Sequence, residues 1–436
     1  MRFTGLPYRG KPKILLSEGS STSSRQTLMA LGPGYVIDVL DPGRLCQSRF
    51  SRYVRRFYKC PAAARDPLAY LRFVVRRLYD GDYDVLLPTH DQVYLFARFR
   101  DDLSQLAGLA LPSFEAIRQM QEKAGFARLL EELDLPRPPT QILPSPDAWG
   151  DVRQFPCYVK LPHSTAGNGV RLVRNAKQLR AALDEFRAVG RLDDRTELVV
   201  QQPVSGVMRV MYAVFRNGEL MGVHCTEATR IGLGSQAGRV GVLHPKAIEY
   251  TTRLGRHLGW HGAMFLDYLY DRETDSLRFL ECNPRIGETV NARLSGVNLA
   301  QMLVRISMDE DVPVAPPPQP GVRTNTGFVQ RLSLAVDERA GRGAIFCDAF
   351  CEFLRCGAYR DAENEMVRVR EDYLSMLPPL FVTSQLLLSP RNAEKIVAGA
   401  VNRYSLPESA TRTIDEMPDD TVRRLLDEVA RSRSGR

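Results

Sequence analysis

Two carboxylates, an amide and an arginine converge in residues 262–299, GAMFLDYLYDRETDSLRFLECNPRIGETVNARLSGVNL. Apolar runs at 263–270 and 277–280 flank the polar turn DRETDS, the pattern of a β-hairpin. Alternation turns Asp267, on the first strand, and Glu281, at the end of the second, toward the inner face, and Asn283 and Arg285 follow at once. Two carboxylates and an amide oxygen suit Mg²⁺, and Mn²⁺ as well, with substrate phosphates and water completing the shell. Arg285 is placed to grip a phosphate through charge-assisted bonds. The plainer alternative, an exposed hairpin with solvated acids, does not account for two acids beside an apolar core.

A second set of residues lies upstream. FPCYVKL, residues 155–161, is a strand carrying Lys160 among apolar neighbours, and an ammonium buried without a partner is costly. The following PHSTAGNGV contains Ser164, Thr165, Gly167 and Gly169, a turn whose backbone N–H groups can approach phosphate oxygens. The lysine precedes the glycines, so this is not a Walker loop. Lys123 sits on a helical stretch, where alone it would be unremarkable. The glycine-rich segment 227–242, EATRIGLGSQAGRVGV, holds Arg230 and Arg239. It reads equally as a mobile clamp for a substrate carboxylate or as a surface loop. Glu288, Asn291 and Arg293 extend the polar set toward the substrate side.

These residues carry a family resemblance. FLDYLYD…FLECNPR resembles the metal-binding hairpin of the ATP-grasp superfamily, in which acid–turn–Glu-x-Asn-x-Arg holds Mg·ATP. Residues 285–300, ending SGVNLA, are similar to the carbamoyl-phosphate-synthetase and biotin-carboxylase branches. The resemblance implies metal ligands Asp267, Glu281 and Asn283, with Lys123, Lys160, Arg285 and the loop residues Ser164, Thr165, Gly167 and Gly169 on the phosphates. It implies catalytic roles for Lys160 and Arg285, and an adenine hinge at Gln201, Gln202 and Val204. Met208 stands where many members place an acid for the ribose, and Glu288 falls one residue before the base-like glutamate of biotin carboxylases. Arg230, Arg239, Glu288 and Arg293 are substrate-side candidates. The implied activity is ATP-dependent ligation of a small-molecule carboxylate to an amine through an acyl phosphate. A bicarbonate-using carboxylase or carbamoyl-phosphate-type enzyme is the alternative, and a non-catalytic ATP-binding regulator a third.

The elements that must position these groups follow. Strand–helix alternation in residues 1–110 predicts a small Rossmann-like parallel sheet. It has no Gly-x-Gly-x-x-Gly after the first strand. In superfamily terms it is the pre-ATP-grasp domain, with Thr89-His90-Asp91 at a strand end able either to face the cleft or to cap the next helix. Residues 111–310 form the α/β (α+β) ATP-grasp core, 111–205 the small lobe and 206–310 the large. Residues 311–436 comprise a Pro-rich linker, VPVAPPPQP, and a mostly helical region to which the resemblance does not extend.

Bulk composition narrows the classes. A chain of 436 residues exceeds one typical domain. The net charge is +8, but of 59 basic residues eight are lysine and the arginines are scattered, which disfavours a nucleic-acid partner. No apolar run reaches bilayer-spanning length, so no membrane role and a cytoplasmic location are expected. The eight cysteines include no CxxC pair. A homodimer is compatible with this composition.

Overall fold

The computed structural model describes residues 10–162, 169–188 and 192–434. Three sheets organise the chain. The first comprises β1 (Lys13–Leu16), β2 (Val36–Asp41), β3 (Val54–Lys59) and β4 (Val85–Leu87), parallel in the order β3-β2-β1-β4. β1 and β4, KILL and VLL, are short, almost wholly buried apolar runs, as strands of parallel sheets are. Ser21 caps the helix Thr22–Leu31 by accepting from the Ser24 N–H. Asp66 caps the proline-started helix Pro67–Gly81 in the same way. β3 is absent from the sequence expectation. It is an edge strand, VRRFYK, whose Arg55 reaches Asp38 with two hydrogen bonds of 2.9 and 2.7 Å, so it lacks the apolar run that marks a buried strand.

The second sheet is antiparallel, with β5 (Thr140–Leu143), β6 (Cys157–Lys160), β7 (Val170–Val173) and β8 (Leu198–Gln201) in the order β5-β8-β6-β7. The stretch leading into it is two helices, Phe114–Gln121 and Lys123–Glu132, broken at an extended Glu122. Lys123 thereby becomes the first residue of a new helix, and its N–H donates to the Pro162 carbonyl at 3.2 Å.

The third sheet carries the hairpin. It comprises β9 (Val207–Arg216), β10 (Glu219–Gly232), β11 (Ser235–Val242), β12 (Gly262–Asp271), β13 (Ser276–Asn283), β14 (Arg323–Asn325) and β15 (Glu363–Asn364), ordered β13-β12-β9-β10-β11-β14-β15. Asn217 and Gly218, both at positive φ, make the β9–β10 turn. Segment 227–242 corrects the expectation of a mobile loop. It is the paired end of the β10–β11 hairpin, with Glu227 opposite Val240 and Ala228 opposite Arg239. Its glycines admit neighbours closely: a Cβ at Gly241 would lie 3.2 Å from Ser295 Oγ and 3.3 Å from Asn291 Oδ1.

The C-terminal region is helical but does not stand apart. β14 and β15 complete the large sheet, beside the helices Gly327–Val336, Arg342–Phe353, Leu377–Leu388 and Asn392–Tyr404. The chain then crosses to the N-terminal sheet. Leu406, Ala410, Ile414 and Leu425 share one core with Tyr70, Leu71 and Phe96. Tyr94 Oη donates to Asp415 at 2.8 Å and Arg98 to the Met417 carbonyl at 3.0 Å. The apolar faces of these last helices find their partners some 300 residues away, which local periodicity does not reveal.

Gly262 opens β12 at φ +107°, and a Cβ there would sit 2.2 Å from the Ala110 carbonyl oxygen. Both conformation and space exclude a side chain. Gly262→Ala is expected to lower unfolding stability by about 2 kcal/mol or more, read as a shifted urea midpoint.

Candidate active site

The hairpin positions its acids by register. Asp267 pairs with Glu281 and Phe265 with Asn283, while a bulge after Asp267 leaves Tyr268 opposite Phe279. The bulge resets alternation so that both carboxylates share one face. Asp267 is buried, and burial together with the facing Glu281 holds its carboxyl well above the usual carboxylate range. Asn283 Nδ2 donates to Asp267 at 3.3 Å, and Asn283 Oδ1 accepts from Arg285 Nη2 at 3.1 Å. Arg285 lies over the Phe265 ring at 5.0 Å and 3.7 Å from Asp91. Two facing carboxylates with an adjacent amide oxygen are the donor set a hard divalent cation takes, and their mutual repulsion is what such a cation relieves.

Two ammonium groups converge on the same carboxylates. Lys123 Nζ stands 3.9 Å from Glu281. Lys160 Nζ donates to Gln201 Oε1 at 2.6 Å, and burial lowers its pKa to about 8, Lys123 adding to the effect and Glu281 opposing it. The sequence-predicted lysines are thus brought together with the metal hairpin. Gln201 differs from expectation. Its carboxamide oxygen accepts from Lys160 and its amide donates to Thr140 at 3.1 Å, so the side chain is engaged inside the sheet. Gln202 and Val204 follow as half-buried hinge residues. Gly169 lies just before β7, its carbonyl accepting from the Leu161 N–H at 2.8 Å. Ser164, Thr165 and Gly167 lie outside the described residues.

The substrate-side candidates divide. Glu288 lines the cavity beside the hairpin, accepts from Thr22 Oγ1 at 2.6 Å and pairs with Arg239 at 2.5 Å. Arg239 is wholly buried between Glu288 and Glu365, the latter at 3.2 Å, and also donates to Tyr212 Oη. Its charge is balanced within the protein, so it orients Glu288 rather than clamping a ligand. Arg230 pairs with Asp348 at 3.2 Å. Arg293 reaches the Met29 carbonyl at 2.9 Å and Glu371 at 3.1 Å. Neither is brought to the cavity wall.

Other wall residues carry no motif. His90 and Asp91, beyond β4, line the cavity. Burial, with Arg285, lowers the His90 pKa to about 4, so the ring is neutral and its Nδ1 accepts the Asp91 N–H at 2.9 Å. Burial raises the Asp91 carboxyl, but His90, Arg285 and the Leu406 N–H outweigh it and hold it near 2. Thr22, Arg403 and Tyr404 complete this side. Only the position of Asp91 at the C-terminal end of a parallel strand signals its placement in advance.

Comparison with known proteins fits this geometry. No protein-family model matches the sequence. The chain is 25% identical over 210 residues, 45% of its length, to the carbamoyl phosphate synthase large chain of Thermus thermophilus, and the match spans about a fifth (20%) of that relative. In structure it is similar to the biotin carboxylase domain of Hydrogenobacter thermophilus 2-oxoglutarate carboxylase, solved with MgADP and bicarbonate. That likeness has a TM-score of 0.56 and 16% identity, covering 71% of this chain and 72% of that one. It is also similar to an L-amino acid ligase from Bacillus licheniformis, with a TM-score of 0.55 and 16% identity over 71% and 79% of the two chains. The chain has the ATP-grasp fold. Within that fold β12–β13 is the hairpin that carries the facing carboxylates, and Lys160 on β6 lies within electrostatic reach of Glu281. Among the described residues no helix is long and apolar enough to cross a membrane.

A lysine titrating near 8 leaves a signature. Nucleotide affinity is expected to weaken as pH rises through about 8, because Lys160 in the free protein loses its proton there. Lys160→Gln should bind more weakly and flatten the profile, which fluorescent-nucleotide titration on either side of that pH measures.

Proposed function

We propose that the chain is an ATP-dependent ligase that joins a small-molecule carboxylate to an amine through an acyl phosphate, releasing ADP and phosphate. The observation that carries this reading is the facing pair Asp267–Glu281 with Asn283, ringed by Lys123, Lys160 and Arg285. Phosphoryl transfer needs positioning and charge neutralisation more than a protein nucleophile, and these residues supply both. Mg²⁺ held by Asp267, Glu281 and Asn283 would neutralise the phosphates. Lys123 and Lys160 balance phosphate charge, and Lys160 is itself oriented by Gln201. Arg285, kept planar over Phe265 and tethered by Asn283, orients the oxygen atoms that meet at the site. His90, neutral and buried, brings no charge to compete for them. The MgADP bound by the Hydrogenobacter domain and the activity named for the Bacillus ligase support the same reading.

A second reading has its own support. The sequence relatives are carbamoyl phosphate synthases, and the Hydrogenobacter domain holds bicarbonate, so bicarbonate is the competing acid. Hydroxylamine trapping separates the two. Hydroxamate that forms with organic carboxylates, ATP and Mg²⁺ supports the ligase. ADP release that depends on bicarbonate alone overturns it. Glu281→Gln is expected to abolish Mg²⁺-dependent ADP release while keeping the thermal midpoint, since it removes one of two repelling carboxylates. Unchanged turnover in that variant would reject the metal assignment.

A further inference from the structure

A cavity of about 950 Å³ opens from the metal hairpin, and its walls say what kind of acid it takes. At one end stand Asp267, Glu281, Asn283 and Arg285. Among the described residues, Lys160 and the hinge at 201–204 lie off its wall. The volume is near the upper limit for small-molecule pockets, roughly 300–1,000 Å³, before any purine is counted. That space is far larger than bicarbonate or a small amino acid needs.

Much of the apolar wall comes from the C-terminal helices, with Gln385 and Asn392 among its polar members. Phe328 and Leu332 project from Gly327–Val336, Leu377 and Phe381 from Leu377–Leu388, and Ile396 and Val397 from Asn392–Tyr404. Leu45 and Phe50, on the N-terminal side, face the same space. Several of these are half-exposed in the free protein: Leu45 is 66%, Phe381 53% and Leu377 46% accessible. Large apolar side chains lining a cavity mouth are stabilised when an apolar ligand covers them. Lys395 and Arg403 line it as well, two cations that favour entry of an anion. Of the wall carboxylates, Glu288 is paired with the buried Arg239, and Asp91 lies 3.7 Å from Arg285, whose guanidinium also lines the cavity.

We propose that the carboxylate substrate is amphipathic: its carboxylate is held at Arg285 beside the metal hairpin, and a long aliphatic body fills the channel between the C-terminal helices. This rests on the ligase reading for its chemistry, but the binding part stands alone. The apolar end lies in the one region to which the ATP-grasp resemblance does not extend. The helices at 327–404 are thus the specificity element of the site, and the catalytic hairpin is blind to the tail.

The test uses the full chain and straight-chain acids from butanoate to hexadecanoate in the hydroxamate assay, with binding of dansyl-labelled undecanoate in the absence of nucleotide as an independent readout. Each methylene buried should lower KM by up to about fourfold until the channel is full. Phe381→Asp, at a half-exposed position that tolerates folding, and Val397→Trp, which narrows the channel, should each reduce the dodecanoate-to-butanoate ratio of kcat/KM at least tenfold and displace the probe. Hydroxamate formation that is indifferent to chain length, with no probe binding, overturns the inference and leaves the ligase reading intact. Saturable probe binding weakened by both variants, with no hydroxamate from any acid, supports the channel and rejects the ligase. Chain-length dependence confined to alkylamines overturns the assignment to the carboxylate, and silence in both assays overturns both.

Discussion

The structure turns on two carboxyl groups held face to face. Asp267 and Glu281 are opposite one another across β12 and β13, with Asp267 buried, an arrangement in which both can carry charge only where cations answer it. Lys123 reaches the pair from the start of a helix, Lys160 lies close enough to feel Glu281, and Arg285 is tethered through Asn283. Three segments far apart in sequence are therefore tied to one point by electrostatics. Gly262 fixes where β12 begins, because only glycine fits against the Ala110 carbonyl, and the bulge at Asp267 fixes where its side chain points.

Around that point the chain closes with buried polar ties between its ends. Gln26, on the first helix, donates to Glu365 at 2.6 Å, and Glu365 in turn faces Arg239 on β11. Arg25 pairs with Asp372 at 3.4 Å, both wholly buried. Breaking one member of such a set leaves an uncompensated charge in the interior, which costs several kcal/mol. The C-terminal region is bound to the other two by these contacts. It behaves as a wall of the site, and its helices supply the apolar half of the cavity while the hairpin supplies the polar half.

Legibility followed the range of the interactions. The hairpin, the Lys160 strand and the alternating N-terminal sheet were readable because their signals are local: period-two alternation, a charged residue in an apolar strand, strand runs alternating with helical ones. β3 was invisible because it is an edge strand with two arginines, of which Arg55 answers Asp38 on the neighbouring strand. Segment 227–242 looked like a loop because glycine lowers strand propensity, yet here glycine admits Asn291 and Ser295. Arg230 and Arg293 looked available for a ligand because their acids, Asp348 and Glu371, lie beyond the Pro-rich linker, as does Glu365, the second partner of Arg239 after Glu288.

By itself the sequence determined that two acids, an amide and an arginine occur in the order of an ATP-grasp hairpin, with Lys123 and Lys160 upstream of them. Only the tertiary structure decided which side chains stand together. Gln201 orients Lys160 and Glu288 pairs with the buried Arg239, whereas Arg285 and Glu281 line the cavity beside Asp91 and Lys123. The reason is physical: a side chain's chemistry is set by its type, but its availability depends on partners hundreds of residues away. Burial then decides whether that partner is another side chain or a ligand.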